Sequence, residues 1–533
     1  MAGIPDLKFD SYYTYDELVD FLRGCDDAAG DCMTLESIAE TPEGRDVWLA
    51  TLTDPEAGAP EEKPGYWVQA NVHAPELAGT TAALRWLHTL LTAQRDRLAE
   101  GTFYVVPRAN PDGAEFAITT LGPIRSRFEI EEKRNGLIPQ DINDDGKITN
   151  MRWEDPAGAY ALHPDDPRVM MPRKPGDEGP FYQQYTEGRI HDYDGGEIVG
   201  ATTGYDFNRH YPANWSPDMD NADYPLKHPE IRGIAQYLLS HHNIFAGIDF
   251  HNGTQAVLRP STRPDSEMNQ EDLTLMTQIG RIGEDITGFP LMNARDYRSP
   301  WIQPRVLHGN SNDFAYFELG VSWYVVELGN TFSSAGVSSE EYFEITEEER
   351  YRELMPRVLK FVDEHPDHIW TYDEWEEIDH PELGKVEVGG FTYGNVIMPY
   401  PPHQEQNTKN TTEFLLEHSR WHPQIVLSDV SVARIDGDVY RVRAKVSNVG
   451  RTATNIMSTG TNPRIAEPVR LRLECGDDVE VVSRTDECDF GQLSGGSDSR
   501  EHEWFVVGSA GAEICITAAH PRGGTAAEKL SLE

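Results

Sequence analysis

Cysteine is scarce. Five residues in a chain of 533 are too few to staple a protein of this length, so a disulfide framework is excluded as the main source of stability. Cys25 with Cys32 and Cys475 with Cys488 are close enough in sequence to pair if their geometry allows, which would leave Cys515 over. Reduced, partly buried thiols are an equal alternative. Long apolar runs are also missing. No stretch approaches the roughly 18 apolar residues that cross a bilayer, and the start MAGIPDLKFD has no basic segment followed by an apolar one. The expectation is a soluble chain with no export signal in view, cytoplasmic by default, with an extracellular location left open. Positive charge is the third shortage. Lys and Arg total 46 against 90 Asp and Glu, a formal net charge of -44. Such a surface repels phosphate-rich partners along most approaches, so nucleic acid is excluded as a natural ligand. It would suit solubility in high salt, although a generally acidic protein is the plainer reading.

What is present is enough for packed interiors, with 38% hydrophobic and 10% aromatic residues. The length suggests two or three domains. TYDELVDFLRGC from residue 14 reads as an amphipathic helix with Thr14 as its cap. LESIAE, DVWLATL, YWVQANV and TFYVVPRAN then alternate with the helical LAGTTAALRWLHTLLTAQ. This rhythm predicts an α/β domain, a mixed and mostly parallel sheet flanked by helices, over residues 1–375. Within it, 121–200 is rich in Asp, Gly, Pro and Arg and reads as a loop-rich insertion that shapes a site. Residues 376–420 have connector composition, and 421–533 hold short turn-bounded β runs such as VYRVRAKVSNVG and EHEWFVVGS, as in an all-β sandwich. Internal repeats and low-complexity tracts are absent.

The chemistry gathers at strand ends. NVHAPELAG places His73 and Glu76 in the turn after the apolar run YWVQ, and ligands of open α/β sheets bind at the carboxyl ends of strands. Imidazole and carboxylate are ordinary zinc donors, and a catalytic zinc takes three protein ligands. His251, ending FAGIDF, supplies a third. Glu327 lies within the apolar strand WYVVELG, a costly place for a carboxylate without a function or a partner. Asn208 and Arg209 in GYDFNRHYP offer an amide beside a planar fork, which suits a substrate carboxylate.

With these segments in order, and with TYDELVDFL, ETPEGRDVWLATL, PRANPDGAEF and SNDFAYFELG between and around them, the chain resembles the zinc carboxypeptidase (metallocarboxypeptidase, funnelin) family over nearly all of residues 10–375. The resemblance implies one zinc held by His73, Glu76 and His251, with Glu327 as general base and Asn208 with Arg209 gripping a C-terminal carboxylate. It implies Asp206 orienting a ligating imidazole. The implied substrate is a peptide or modified peptide with a free carboxylate. The reaction is metal-assisted hydrolysis, in which Glu327 takes a proton from water and passes it to the leaving amine while an Arg stabilises the oxyanion. Arg152 in ITNMRWEDP is the choice for that Arg, with Arg125 and Arg127 as competitors. Where the family often carries a mobile Tyr, alignment puts Arg305, with His308 and Tyr297 as nearby polar candidates. Leu258, Thr262, Asn312 and Val325 are expected to line the specificity pocket, and Arg259 is read as exposed. Oligomeric state is not legible.

A calcium site is a further expectation. In DINDDGKITNMR, Asp141, Asn143 and Asp145 fall at positions one, three and five of an EF-hand loop, with Gly146 at six. Position twelve is Arg152, so a standard EF-hand is excluded; Glu154 or Asp155 would have to close the shell. An Asx-rich turn is the competing reading. For the whole chain the rivals are an aspartoacylase-like N-acyl amino acid deacylase and a zinc-binding pseudoenzyme whose β-sandwich does the binding.

Overall fold

A computed structural model describes residues 3–217, 223–298, 306–366, 372–391, 396–462 and 465–533. Its centre is an eight-stranded mixed sheet. In chain order the strands are β1 (Met33–Glu40), β2 (Asp46–Leu52), β3 (Gly65–Ala70), β4 (Thr102–Val106), β5 (Ile244–His251), β6 (Ala256–Arg259), β7 (Leu291–Asn293) and β8 (Ser322–Glu327). Their spatial order is β1-β2-β4-β3-β5-β8-β6-β7. The inner run β4-β3-β5-β8 is parallel. Every residue of β3, β5 and β8 is buried, which is why these strands read as unbroken apolar runs rather than alternating ones.

Helices cover both faces. α1 (Tyr15–Ala29) begins at Thr14, whose side chain and that of Glu17 cap each other's backbone amides. α1, α2 (Ala78–Leu91) and α3 (Gln270–Thr287) bury one face of the sheet through Leu22, Trp86, Leu87 and Met276. Pro229–Ser240 covers the other through Ile231, Ile234 and Leu238, against Trp67 and Trp323.

Two stretches differ from the sequence expectation. The insertion 121–200 carries short strands among its loops. Asn150–Glu154, Tyr160–Leu162, Met170–Pro172 and Phe181–Thr186 form a second sheet, completed by the hairpin Asp373–His380 and Gly384–Gly390. These strands are short, and the partner that completes them lies some two hundred residues downstream, so no local periodicity marks them. The connector composition of 376–420 hides that hairpin strand and a helix, α4 (Gln404–His418), packed on α2 and α3. Its buried face uses Thr408, Thr411 and Thr412, whose hydroxyls bond back to helix carbonyls, beside Phe414 and Leu415. At its end the buried His418 joins Tyr66 Oη and Ser322 Oγ, each at 2.9 Å.

The C-terminal part is a pair of four-stranded antiparallel sheets. They enclose a core with Tyr440, Val442, Leu471, Trp504 and Ile516. It is docked firmly on the α/β part. Ile456 and Met457 enter the larger core, Ser458 donates to Asp272, and the buried Arg522 donates to Leu319 O at 2.7 Å and Gly320 O at 3.3 Å. All five cysteines are free, so neither candidate pair is bonded.

Candidate metal centre and its cavity

The turn after β3 is built by Asn71, which takes a left-handed φ of 58° and donates to the carbonyls of His73 and Ala74. This swings His73 and Glu76 over the carboxyl ends of the parallel strands. β5 ends at His251, which is in register with Glu327 at the end of the neighbouring β8. Residues from three distant segments therefore meet.

The meeting is close. His73 Nδ1 lies 2.8 Å from Glu76 Oε1, His251 Nδ1 lies 2.8 Å from Glu76 Oε2, and the two Nδ1 atoms are 3.1 Å apart. All three residues are buried. Two imidazole nitrogens facing each other across a carboxylate share few protons, whereas a cation satisfies all of them. The edges of a tetrahedron with metal–nitrogen bonds of 2.0–2.1 Å are about 3.3 Å long, near these spacings. Among the described residues this is the one group of three His, Cys, Asp or Glu side chains placed to hold a metal ion. The donor set fits zinc. Each imidazole also has a carboxylate behind it. His73 Nε2 is 3.1 Å from Asp206 Oδ1, and His251 Nε2 is 3.3 Å from Asp249 Oδ2, at ion-pair distance though off hydrogen-bond alignment.

Burial would raise the Glu76 and Asp206 carboxyls, but their positive neighbours win. The His73 and His251 rings hold Glu76 well below the usual carboxylate range, and Arg209, Arg125 and His73 do the same for Asp206. Burial would lower His251, but Asp249 and Glu76 lift it well above an ordinary imidazole. Glu327 goes the other way: burial pushes it up to about 8, against the pull of His251 and with the push of Glu76. Gly253 keeps space beside it, because a Cβ there would collide with the Tyr297 hydroxyl and lie 2.8 Å from Glu327 Oε2.

A cavity of about 340 Å³ opens over the centre. Asn208, Arg209 and Arg125 line it together with His73, Glu76, His251 and Glu327, and Leu258, Thr262, Asn312 and Val325 form another part of its wall. Asp206 caps the Phe207–Arg209 turn by accepting from the Asn208 amide at 2.8 Å, and Arg209 Nη1 donates to Asn208 O at 2.7 Å. Tyr297 lines the cavity as well and donates to Thr254 O at 2.6 Å. His308 instead bonds Asn214 O, and Arg305 lies outside the described residues. Arg259 is buried and paired with Asp265, not exposed.

Arg152 is elsewhere. It sits in the insertion sheet with its guanidinium 4.0 Å from the Trp375 ring centroid and 2.8 Å from Glu387 Oε2. Arg127 pairs with Glu230 and Asp112. The arginine at the centre is Arg125, 2.9 Å from Glu76 Oε1 and 3.4 Å from Asp206 Oδ2. Its place follows from a backbone bond, Ala74 N to Arg125 O at 2.8 Å, which ties its loop to the turn carrying His73. That contact has no sequence signal.

The 141–152 loop holds no group of three His, Cys, Asp or Glu side chains placed to share an ion, so a calcium site there has no support. Asp141 accepts from the amides of Asp144 and Gly146, each at 2.8 Å, Asn143 from Asp145, and Asp145 from Lys147. The carboxylates close an Asx-type turn on itself. A second cavity of about 310 Å³, between the insertion sheet and the helix Met355–Glu364, has Arg168, Met170, Phe332 and Tyr342 in its wall and none of the metal donors.

The zinc carboxypeptidase family profile matches residues 18–352, and a domain of unknown function matches 424–531. Zinc carboxypeptidase A 1 of Drosophila melanogaster is 31% identical over 136 residues, covering 23% of this chain and 32% of that protein. A metallocarboxypeptidase A-like protein of Trichophyton verrucosum is 27% identical over 146 residues, covering 27% of this chain and 33% of that protein. The aligned stretches thus span about a third of these relatives. Among solved structures, carboxypeptidase A from Helicoverpa armigera aligns with a TM-score of 0.41 at 15% identity, over 67% of this chain and 73% of that one.

Proposed function

The chain belongs to the zinc carboxypeptidase family, and from that premise we propose that it is a metallocarboxypeptidase that removes the C-terminal residue of a peptide or modified peptide by hydrolysing its amide bond. The observation that carries this reading is the sharing of one cavity by His73, Glu76, His251, Glu327, Arg125, Asn208 and Arg209.

His73, Glu76 and His251 would hold zinc, which when bound polarises the scissile carbonyl and acidifies water. Asn208 and Arg209 take the terminal carboxylate as amide and fork, fixing the last peptide bond over the centre. Arg125 faces the oxygen that becomes negative as the carbonyl is attacked. Glu327 receives the proton from attacking water and delivers it to the leaving nitrogen. Burial raises its carboxyl, which makes it the stronger base once a cation held at the centre would keep it ionised.

The test is digestion of a peptide library read by mass spectrometry, with and without a zinc chelator. Loss of single C-terminal residues that stops with chelator and returns with zinc is expected. Chelator-insensitive cleavage would reject the reading, and turnover of N-acyl amino acids alone would replace it with deacylation.

A further inference from the structure

Asp249 is fully buried in the central strand β5, with Oδ1 lacking any hydrogen-bond partner. A carboxylate in that position is costly unless a positive group or donors face it. Two groups do. Ser311 Oγ donates to Asp249 Oδ2 at 2.5 Å, and His251 Nε2 lies 3.3 Å from the same oxygen. Ser311 opens the short helix Ser311–Phe314, and its backbone amide donates to Asn208 Oδ1 at 2.8 Å. Ser311, itself buried, thus touches both the side chain placed to take the substrate carboxylate and the acid behind a metal-facing imidazole. A neutral acceptor would anchor the Ser311 hydroxyl at lower cost. A carboxylate is called for by the imidazole, which becomes strongly polarised when its other nitrogen is given to a dication.

We propose that Ser311 and Asp249 are positioning residues that orient His251 for zinc and join that ligand to the Asn208 carboxylate grip through one hydroxyl and one amide. The roles of His251 and Asn208 here rest on the metallocarboxypeptidase reading. The arrangement parallels Asp206 behind His73, but here the acid lies on the same strand as its imidazole, and Ser311, from another segment, adds the connection to Asn208.

The experiment measures the zinc dissociation constant of the full chain by chelator competition, with no peptide present. Ser311→Ala is expected to weaken zinc about 10-fold and Asp249→Asn up to about 100-fold, the range found for groups that orient metal ligands. Ser311→Thr, which keeps the hydroxyl, should restore most of the affinity. Asn208→Ala, which removes the acceptor of the Ser311 amide, should weaken zinc several-fold although it touches no ligand. Unchanged zinc affinity in both folded Ser311→Ala and folded Asp249→Asn overturns the proposal, as does a fall in melting temperature without a change in zinc affinity. If one variant fails to fold, the other decides. Because no peptide is used, absence of peptidase activity would count against the functional reading and leave this result standing.

Discussion

Two segments of this protein carry metal donors at suggestive spacings, and their fates are opposite. Asp141, Asn143 and Asp145 lie within a few residues of one another, and their oxygens accept from the amides of their own turn. His73, Glu76 and His251 come from strand ends far apart in the chain, and their donor atoms face one another at 2.8–3.1 Å. Short-range acids bond locally because backbone N–H groups are nearer than any ion. Donors brought together by a sheet crowd one another, and each imidazole among them has a carboxylate behind it, Asp206 behind His73 and Asp249 behind His251. Convergence with backing distinguishes the centre from the loop.

The comparison breaks most directly at the ligands. His73→Ala should abolish zinc binding measured by chelator competition and reduce turnover to background. Retained zinc would mean that the metal sits elsewhere. Glu327→Gln separates chemistry from binding: turnover should fall by about 10²–10⁴-fold while zinc affinity stays within a few-fold. An equal loss of both would recast Glu327 as a structural group.

The two arginines extend the same contrast. Arg125→Ala should lower kcat by about 10²–10³-fold, the scale of removing an oxyanion donor. Arg152→Ala should leave kcat within two-fold and cost about 1–2 kcal/mol in denaturant unfolding, through lost stacking on Trp375 and the bond to Glu387. The reverse pattern in steady-state kinetics would restore Arg152 to the site.

Protons compete with metal at the centre. Asp249 and Glu76 outweigh burial and raise His251, so the metal-free imidazole holds a proton that zinc must displace. Zinc affinity should therefore fall as pH drops below that raised value, by up to about 10-fold per pH unit for each proton released. A flat affinity between pH 8 and pH 6 would contradict this assignment. The smallest effect is expected at the loop. Asp141→Ala should cost about 1 kcal/mol of stability for its lost turn bonds, with no shift of the melting temperature when calcium is added to either protein.

Much of the fold was readable because burial leaves a local trace. Thr14 with Glu17 marks the start of α1, and YWVQ, FAGIDF and WYVVE mark the three fully buried parallel strands. His73, Glu76, His251 and Glu327 stand out because they are polar residues at the ends of such runs. The second sheet left no trace, since its strands within the insertion run only three to six residues, too short to show a period, and its completing hairpin lies at 373–390. α4 was hidden by a threonine-rich buried face. Asp249 and Ser311 carry no sequence signal, because an acid within DFH and a serine within SNDF are ordinary until the fold sets their distance.

The amino-acid sequence alone decided which side chains are available for chemistry and which strands must be buried, because hydrophobicity and donor type belong to the residues themselves. Only the tertiary structure decided that Arg125 and not Arg152 reaches the cavity, that the Asp141 loop spends its carboxylates on itself, and that Asp249 stands behind His251. Those outcomes depend on distances between segments remote along the chain, and the packing of the whole sheet sets them.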